Sequence, residues 1–328
     1  QQAGHLPYTE NTNVDGDQTN LADQFFGRGN TPFTCGNVIT SNTFTGGPAN
    51  GVDSRNVGAG VNTLAGLVKN TANGETFCSI QVANNDSNTD NGNTITVAAG
   101  TYVENISITK SLNIFGPNEN INPNTGSRVA EAIVIPAVTA LEPSTTGAIF
   151  RLGTTSHIDV TIKGLTINGS NPALGAGRML NGVPVHTGAG IVNSIGSFDV
   201  NPGGRDVKMT IQNNIIKNLE RYGVLADGVT PVIALAGTDV SFNKIDNLPS
   251  GNNFGGGRGR AIAFEENHYG SATYNVISRV NVGWQDDNYY LASPGAGTVI
   301  DNNTISTYHR GIFHNLQYSG ATDATITN

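Results

Sequence analysis

The chain has 328 residues, a formal net charge of −8, 42 glycines, 13% charged and 37% apolar residues. That acidic balance argues against nucleic acid, whose phosphates demand a basic face, and no run of about 18 apolar residues is present to span a membrane. Charged helix-forming stretches are scarce, so β-branched strands joined by Asn- and Gly-rich turns are expected to dominate.

Residues 1–75 are irregular and rich in Asn, Thr and Gly, with an aromatic patch at Phe25-Phe26. They read as a cap or wrapping segment that covers the exposed first rung of the repetitive part of the chain. The chain opens at Gln1-Gln2 without an initiator Met, as a protein does after removal of a signal peptide. With the Asn-heavy, Lys-poor composition this reads as a secreted or cell-surface protein, in which Cys35 and Cys78 are expected to pair and pin the N-terminal region to the first coil.

From residue 76 to about 170, short strands are predicted at Thr94–Val97, Ile106–Ile108, Leu112–Ile114 and Val160–Ile162. Beyond them a cassette recurs, an Asn followed two residues later by Ile, with a glycine-hydrophobic step after a short interval. It stands at Asn214-Ile215-Ile216 with Gly223-Val224, Asn275-Val276-Ile277 with Gly283-Trp284, and Asn303-Thr304-Ile305 with Gly311-Ile312. Asn243-Lys244-Ile245 meets Ala261-Ile262 after a longer insert, and Ile211, Val240, Ala272 and Ile300 each stand three residues before a cassette Asn.

Successive cassette Asn residues are 29, 32 and 28 apart, a period that means solenoids, propellers or arrays. Propeller blades need about four strands in roughly 40 residues, and a leucine-rich repeat needs a leucine framework that is absent. The expected fold is all-β, a right-handed parallel β-helix over 76–328 preceded by the irregular cap at 1–75. Asn and Gly suit the bends because both tolerate left-handed backbone angles, and a stacked Asn amide can hydrogen-bond its copy one rung away. Long inserts at 171–188 and 249–259 are expected on one face, where they would build a binding site.

The run from Gly92 to Ile108, followed by Lys110, Leu112, Ile114 and Gly116, resembles the opening coil of pectin-lyase-like right-handed β-helix proteins, most of all the repetitive modules of large bacterial surface proteins. With the cassettes the resemblance covers roughly residues 76–328. It implies the fold, and only weakly a function, because that superfamily includes lyases, hydrolases, methylesterases, tailspikes and adhesins. Gly100-x-Tyr102-x-Glu104 and Gln285-Asp286 match two methylesterase motifs, but no Asp-Phe-x-x-Gly or Leu-Gly-Arg-Pro-Trp follows. Tyr102 and Glu104 then read as a packed Tyr and a Glu bonded to backbone. Of the polygalacturonase motifs, Gly-His-Gly and Arg-Ile-Lys are absent.

Aligning the strand after each cassette sends Leu225, Gln285 and Phe313 outward together with Asp227, Glu265, Asp287 and Asn315, provided Val224, Ile262, Trp284 and Ile312 face inward. Neighbouring strands lie about 4.8 Å apart, so the acids form a ladder of like charge that something must offset. Arg221, Arg260, Arg279 and Arg310 precede these strands and offer one offset. A hard cation such as Ca²⁺ held by Asp227, Glu265 and Asp287 is another. A third reading is catalytic, with Asp286, Asp287, Glu265, Arg310 and His314 as candidates, although alternation points Asp286 and His314 inward. Aromatic residues crowd the last coils, so Gln285, Phe313, Tyr289 and Tyr290 are the candidate ligand-binding residues for a sugar face.

Two functional readings compete. One is a secreted or cell-surface scaffold or adhesin that binds glycan or cation weakly. The other is a polysaccharide-degrading enzyme, lyase or glycoside hydrolase, acting on the outer face. The sequence stops in mid-coil one residue short of the next cassette Asn, so the natural protein is expected to continue or to meet an assembly partner.

Overall fold

The computed structural model describes residues 68–194, 204–228, 235–249, 258–265, 268–288, 298–316 and 325–326. These residues are all-β, with one α-helix of six residues. An antiparallel pair, β1 (Val68–Asn70) and β2 (Thr76–Phe77), leads into helix α1 (Ile80–Asn85). Each coil then has three strands: β3 (Thr94–Val97), β4 (Gly100–Val103) and β5 (Ile106–Ile108), then β6 (Leu112–Phe115), β7 (Ala132–Ile135) and β8 (Ala148–Leu152). The third coil is β9 (Ile158–Lys163), β10 (Thr166–Asn168), an inserted hairpin β11 (Arg178–Leu180) and β12 (Val183–Val185), and β13 (Ala189–Val192). Next come β14 (Val207–Gln212), β15 (Ile215–Lys217) and β16 (Tyr222–Ala226), then β17 (Leu235–Ser241), β18 (Lys244–Leu248) and β19 (Arg260–Glu265). In the last coils the second and third strands fuse: β20 (His268–Thr273) and β21 (Val276–Asn288), β22 (Val299–Asp301) and β23 (Thr304–Leu316), and finally β24 (Thr325–Ile326).

Strands from successive coils pair in parallel to give three ladders, visited in the same order each time. The first contains β3, β6, β9, β14, β17, β20, β22 and β24, with β1 added antiparallel to β3. The second contains β4, β7, β10, β15 and β18, and the third β5, β8, β13, β16 and β19. β21 and β23 run through both, joining these two ladders into one twelve-stranded sheet. The arrangement is solenoid-like, and all four strands expected before residue 170 are present.

Inward columns fill the space between the ladders. Ile95, Ile114, Ile162, Ile211, Val240, Ala272 and Ile300 are in register along the first ladder. Tyr102, Val134, Ile167 and the cassette residues Ile216, Ile245, Ile277 and Ile305 line the second. Ile106, Phe150, Ile191, Val224, Ile262, Trp284 and Ile312 line the third. Except for Ile305 and Ile312, which are partly buried, these side chains are 2% exposed or less. Each large one contributes about 1.5–3 kcal/mol by leaving water.

The corner between the first and second ladders explains the cassette Asn. It is a two-residue bend whose first residue takes a left-handed backbone: Gly164, Asn213, Phe242, Tyr274 and Asn302 all have positive φ. Its second residue is Leu165 at the first of these bends and Asn214, Asn243, Asn275 or Asn303 at the others. The backbone N–H of Asn214 donates to Asn243 Oδ1 at 3.0 Å, Asn243 to Asn275 at 2.9 Å, and Asn275 to Asn303 at 2.9 Å. Each Nδ2 reaches back to a carbonyl of the preceding coil, Ile162, Ile211, Val240 and Ala272, at 2.7–2.9 Å. Buried amides thus bind three coils at once. At Gly223 and Gly283 close approach rather than φ excludes a side chain, since a Cβ would overlap the carbonyl oxygens of Ala261 and Gly311, whereas Gly311 itself faces open space and Ala261 takes the place of Gly in the fourth copy.

The Gly100-x-Tyr102-x-Glu104 motif is structural. Tyr102 is packed in the core with its hydroxyl donating to Ala98 O at 2.9 Å. Glu104 accepts from the backbone N–H groups of Ile80 and Gln81 at 3.0 and 2.9 Å and so caps α1.

Asn243→Ala is expected to lower stability by about 2–4 kcal/mol, because the N–H of Asn214 and the carbonyl of Ile211 become buried without a partner. Asn303, partly exposed on the last described coil, should cost less when changed the same way. Urea unfolding of both variants checks this, and equal or reversed costs would contradict the ladder account.

Candidate functional site

The third ladder is where the chain departs most from regular coils. Crossings at 136–147, 169–188 and 249–259 precede its strands, and crossings at 193–206, 227–234 and 289–298 come after them. The two inserts expected from the sequence therefore share one corner, between the second and third ladders.

Register bears on the aligned columns. Arg151, Val192, Leu225, Ala263, Gln285 and Phe313 form one column, and Ala189, Tyr222, Arg260, Val282 and Arg310 another. Glu265, Asp287 and Asn315 are also adjacent in register, as are Phe264, Asp286 and His314. Phe264 belongs to the main core, so Asp286 and His314 occupy an inward register position. The side chains of Asp286, Asp287, His314 and Asn315 lie outside the described residues, as do Tyr289, Tyr290 and Cys35.

The outer side of this ladder is not bare sheet. Ala148, Ala189, Val192, Tyr222, Leu225 and Ala263 make a second buried apolar cluster there. Within it Glu265, 9% exposed, accepts from Arg260 Nη1 at 2.7 Å and from Gln285 Nε2 at 3.2 Å. Arg260 also donates to Tyr222 Oη at 2.9 Å and sits 5.5 Å above the Tyr222 ring. On the last coil Arg310 lies 4.6 Å above the Phe313 ring. Buried ion pairs are costly to break from one side, by about 3–5 kcal/mol, so Glu265 and Arg260 hold each other in place.

The other arginines find partners off the acid column. Arg279 bonds Asp246 one coil back, on the second ladder, with Nε 2.9 Å from Oδ1. Burial acts to raise the Asp246 pKa, but hydrogen bonds from Arg279 and Ser278 with the charges of Arg279 and Lys244 hold it below the usual carboxylate range. Arg221 reaches Glu142 at 3.2 Å. Arg221 starts in the bend before β16 and reaches the insert residue Glu142, whereas Arg279 lies within β21 with a left-handed backbone and reaches the neighbouring strand β18.

A wider network at that corner was not foreseen. The fully buried carboxylate of Glu220 accepts from Arg178 at 2.6 Å and Arg258 at 2.9 Å, and Arg258 also holds Glu142 at 2.6 Å. With Arg221 on Glu142, four consecutive crossings are stapled together. Only Glu220-Arg221, next to a cassette, hinted at it in the sequence.

At the opposite corner Asp227 is buried and accepts through its backbone oxygen from Asn193 Nδ2 at 2.7 Å, while its N–H donates to Asn193 Oδ1 at 2.7 Å. His268 lies beside it, fully buried, with Nε2 2.7 Å from Thr238 Oγ1 and its ring 6.1 Å from that of Phe264. Burial pushes its pKa down to about 4, against the opposing pull of the Asp227 backbone and the Asp206 charge. Its Nδ1 makes no hydrogen bond of ordinary geometry.

Among the described residues no group of three or more His, Cys, Asp or Glu side chains is placed to hold a metal ion. Of the expected cation set, Glu265 is engaged by Arg260 and Gln285, and the Asp287 side chain is outside the description. No helix among the described residues is long and apolar enough to cross a membrane. Comparison with known proteins finds no matching family model, no matching curated protein and no matching solved structure.

His268 generates a pH prediction. Its folded pKa of about 4 lies below the ordinary 6.5, so between these values the unfolded chain binds the proton and the folded chain does not. Its contribution is present above pH 6.5 and is lost as pH falls towards 4, by roughly 3 kcal/mol in all. Urea unfolding across that window should show wild type weakening more than His268→Gln. Parallel curves would mean that the imidazole is not held neutral.

Proposed function

We propose that the coils form a right-handed parallel β-helix of the pectin-lyase-like kind, serving as a rigid scaffold or adhesin module of a secreted or cell-surface protein. Glycan contact is assigned to the last coil of the third ladder, around Arg310 and Phe313, with Tyr289 and Tyr290 following β21 in the chain; Gln285, expected to bind ligand, is 1% exposed and bonded to Glu265, and so is not offered to one. A Cys35–Cys78 disulfide belongs to the same reading.

One observation supports it: among the described residues, Glu142, Glu220 and Glu265 of this region neutralise arginines within the protein. Glu265 is tied to Arg260 and Gln285, and Glu220 and Glu142 share three arginines. A general base must reach a substrate proton at hydrogen-bond distance, and a buried carboxylate already bonded to a guanidinium is poorly disposed to do so. The same pairs make adjacent coils stiff, which a scaffold requires.

The enzyme reading, a polysaccharide lyase or glycoside hydrolase, is favoured by a different observation. Asp286 and His314 are paired in register on adjacent strands, four residues along from Val282 and Arg310.

Incubation with acidic and neutral polysaccharides separates the two readings. The scaffold reading expects retardation in affinity electrophoresis on one class of glycan without release of unsaturated or reducing ends. Release of such ends, lost in Asp286→Asn, would replace it with the enzyme. Thermal melting tests the cation: Ca²⁺ bound at the acid column would raise the Tm, and Asp287→Ala would remove the gain. Pairing by arginine alone expects no response to Ca²⁺ or chelator.

A further inference from the structure

Successive coils turn from the first ladder to the second through one residue of left-handed backbone, and two of these residues are unsuited to it. Gly164, Asn213 and Asn302 are of the types that take such a backbone at little cost, whereas Phe242, at φ 59°, and Tyr274, at φ 56°, are bulky aromatic residues. A bulky side chain held there is an outlier of the kind that collects at binding sites. Phe242 and Tyr274 stand on adjacent coils with their ring centroids 5.0 Å apart and their planes 6° from parallel. One such stack returns less free energy than two left-handed aromatic residues cost, so the stability of the bend does not account for the pair.

The earlier bends are covered by the insert between β6 and β7. Asn213 Nδ2 donates to Glu119 O at 2.7 Å, Arg128 Nη1 to Asn213 O at 2.8 Å, and Asn124 Nδ2 to Asn243 O, next to Phe242 in the chain, at 3.2 Å. Among the described residues the hydrogen bonds of this insert go no further along the corner. Tyr274, one coil on, is 46% exposed, and its hydroxyl has no hydrogen-bond partner among the described residues. Phe242 takes one face of the Tyr274 ring, and the other face is turned towards the next coil. The bend residue there is Asn302, which is exposed and too short to cover a tyrosine ring. Its Nδ2 folds back to donate to Asp301 Oδ2 at 2.7 Å, which leaves its Oδ1 as an acceptor beside the open ring face.

We propose that this bend is a second carbohydrate contact, in which the C–H face of a neutral sugar stacks on the far side of Tyr274 and a sugar hydroxyl donates to Asn302 Oδ1. The chemistry selects the class. An aromatic ring presents the negative face of its quadrupole to the C–H groups of a pyranose, and an amide oxygen accepts from a hydroxyl. Acidic sugars are disfavoured by like charge: Asp301 immediately precedes Asn302, and Asp239 stands three residues before Phe242, both on the outer face of the first ladder. The charge of Lys244, two residues after Phe242, acts on Asp246. The contact lies at a different corner from Arg310 and Phe313 and does not depend on them. Phe242 supports it by holding the Tyr274 ring flat from behind.

Affinity electrophoresis of the full chain tests this, in gels holding soluble β-glucan, galactomannan or arabinoxylan, with polygalacturonate as the acidic comparison. Asn is the residue of flanking bends, so Tyr274→Asn should leave the Tm unchanged or raise it. Run well below that Tm, it should bind a neutral glycan about 10-fold more weakly than wild type, whereas Tyr274→Phe, which keeps the ring, should bind nearly as well. Retention on none of the three neutral glycans would overturn the proposal, as would retention on polygalacturonate alone. Retention that Tyr274→Asn leaves unchanged would also overturn it, and a lowered Tm in that variant would then make the stack purely structural. Phe313→Ala separates the two contacts: loss there but not in Tyr274→Asn leaves only the third-ladder site, and loss in Tyr274→Asn but not in Phe313→Ala leaves only the bend.

Discussion

Every part of this molecule depends on coils stacking in register at the strand spacing of about 4.8 Å. A residue is never placed by its own strand alone; it must match the residue one coil before and one coil after. The buried asparagines enforce that match most directly. Asn243 takes hydrogen bonds from the amide and backbone of Asn214, donates to Ile211, and is positioned by Asn275. A shift of one residue at this corner would turn every inward Ile to solvent and leave a row of buried amides without partners. Specificity of register therefore comes from polar groups, and most of the stabilisation from the apolar columns behind them.

That division decides where the fold can vary. The corner holding the asparagines is two residues long from the third coil onward and tolerates no insertion without breaking the ladder. Between the second and third ladders the amides of Asn247, Asn218 and Asn168 also chain from coil to coil, but beyond them the chain runs out into inserts, where loop length is thermodynamically cheap. Inserts accumulate at this corner, and their charges must be accommodated close to the sheet. Arg178, Glu220, Arg258, Glu142 and Arg221 do so collectively, each carboxylate serving more than one coil. The region richest in ionisable side chains is thereby also among the most internally bonded.

The repeat was legible because stacking writes itself into the chain as a period. Ile211, Val240, Ala272 and Ile300 could be aligned by eye, and the register pairs them as aligned. Trp284 was placed in the core by the same logic and is 1% exposed there. The site was less legible, because periodicity says which face a side chain takes but not what its long, flexible end will reach. Arg260 bonds the Glu of its own strand rather than one a coil away, and Arg221 turns to an insert residue 79 positions earlier. His268 lies outside the cassettes. Its buried position comes from Thr238 and Phe264 packing around it, contacts between coils that carry no local signature.

A solenoid has a second obligation that a closed sheet lacks, which is to end. Here the first coil shows two distinct solutions within a few residues of each other. β1 supplies backbone to backbone, the ordinary strand solution. α1 cannot, because a helix directs its backbone N–H and C=O groups along its own axis rather than at a strand beside it, so it offers Gln81 and Asn84 instead, whose amides supply donors and an acceptor to Ser107. This explains why Asn84 is buried in so short a helix. It also explains why Glu104 must hold the helix N-terminus in place: without that carboxylate on the Ile80 and Gln81 amides, the two side chains would lose their alignment with the strand edge. The pectin-esterase-like spacing of Gly100, Tyr102 and Glu104 is thus accounted for by the mechanics of an end cap, with no catalytic role required of it.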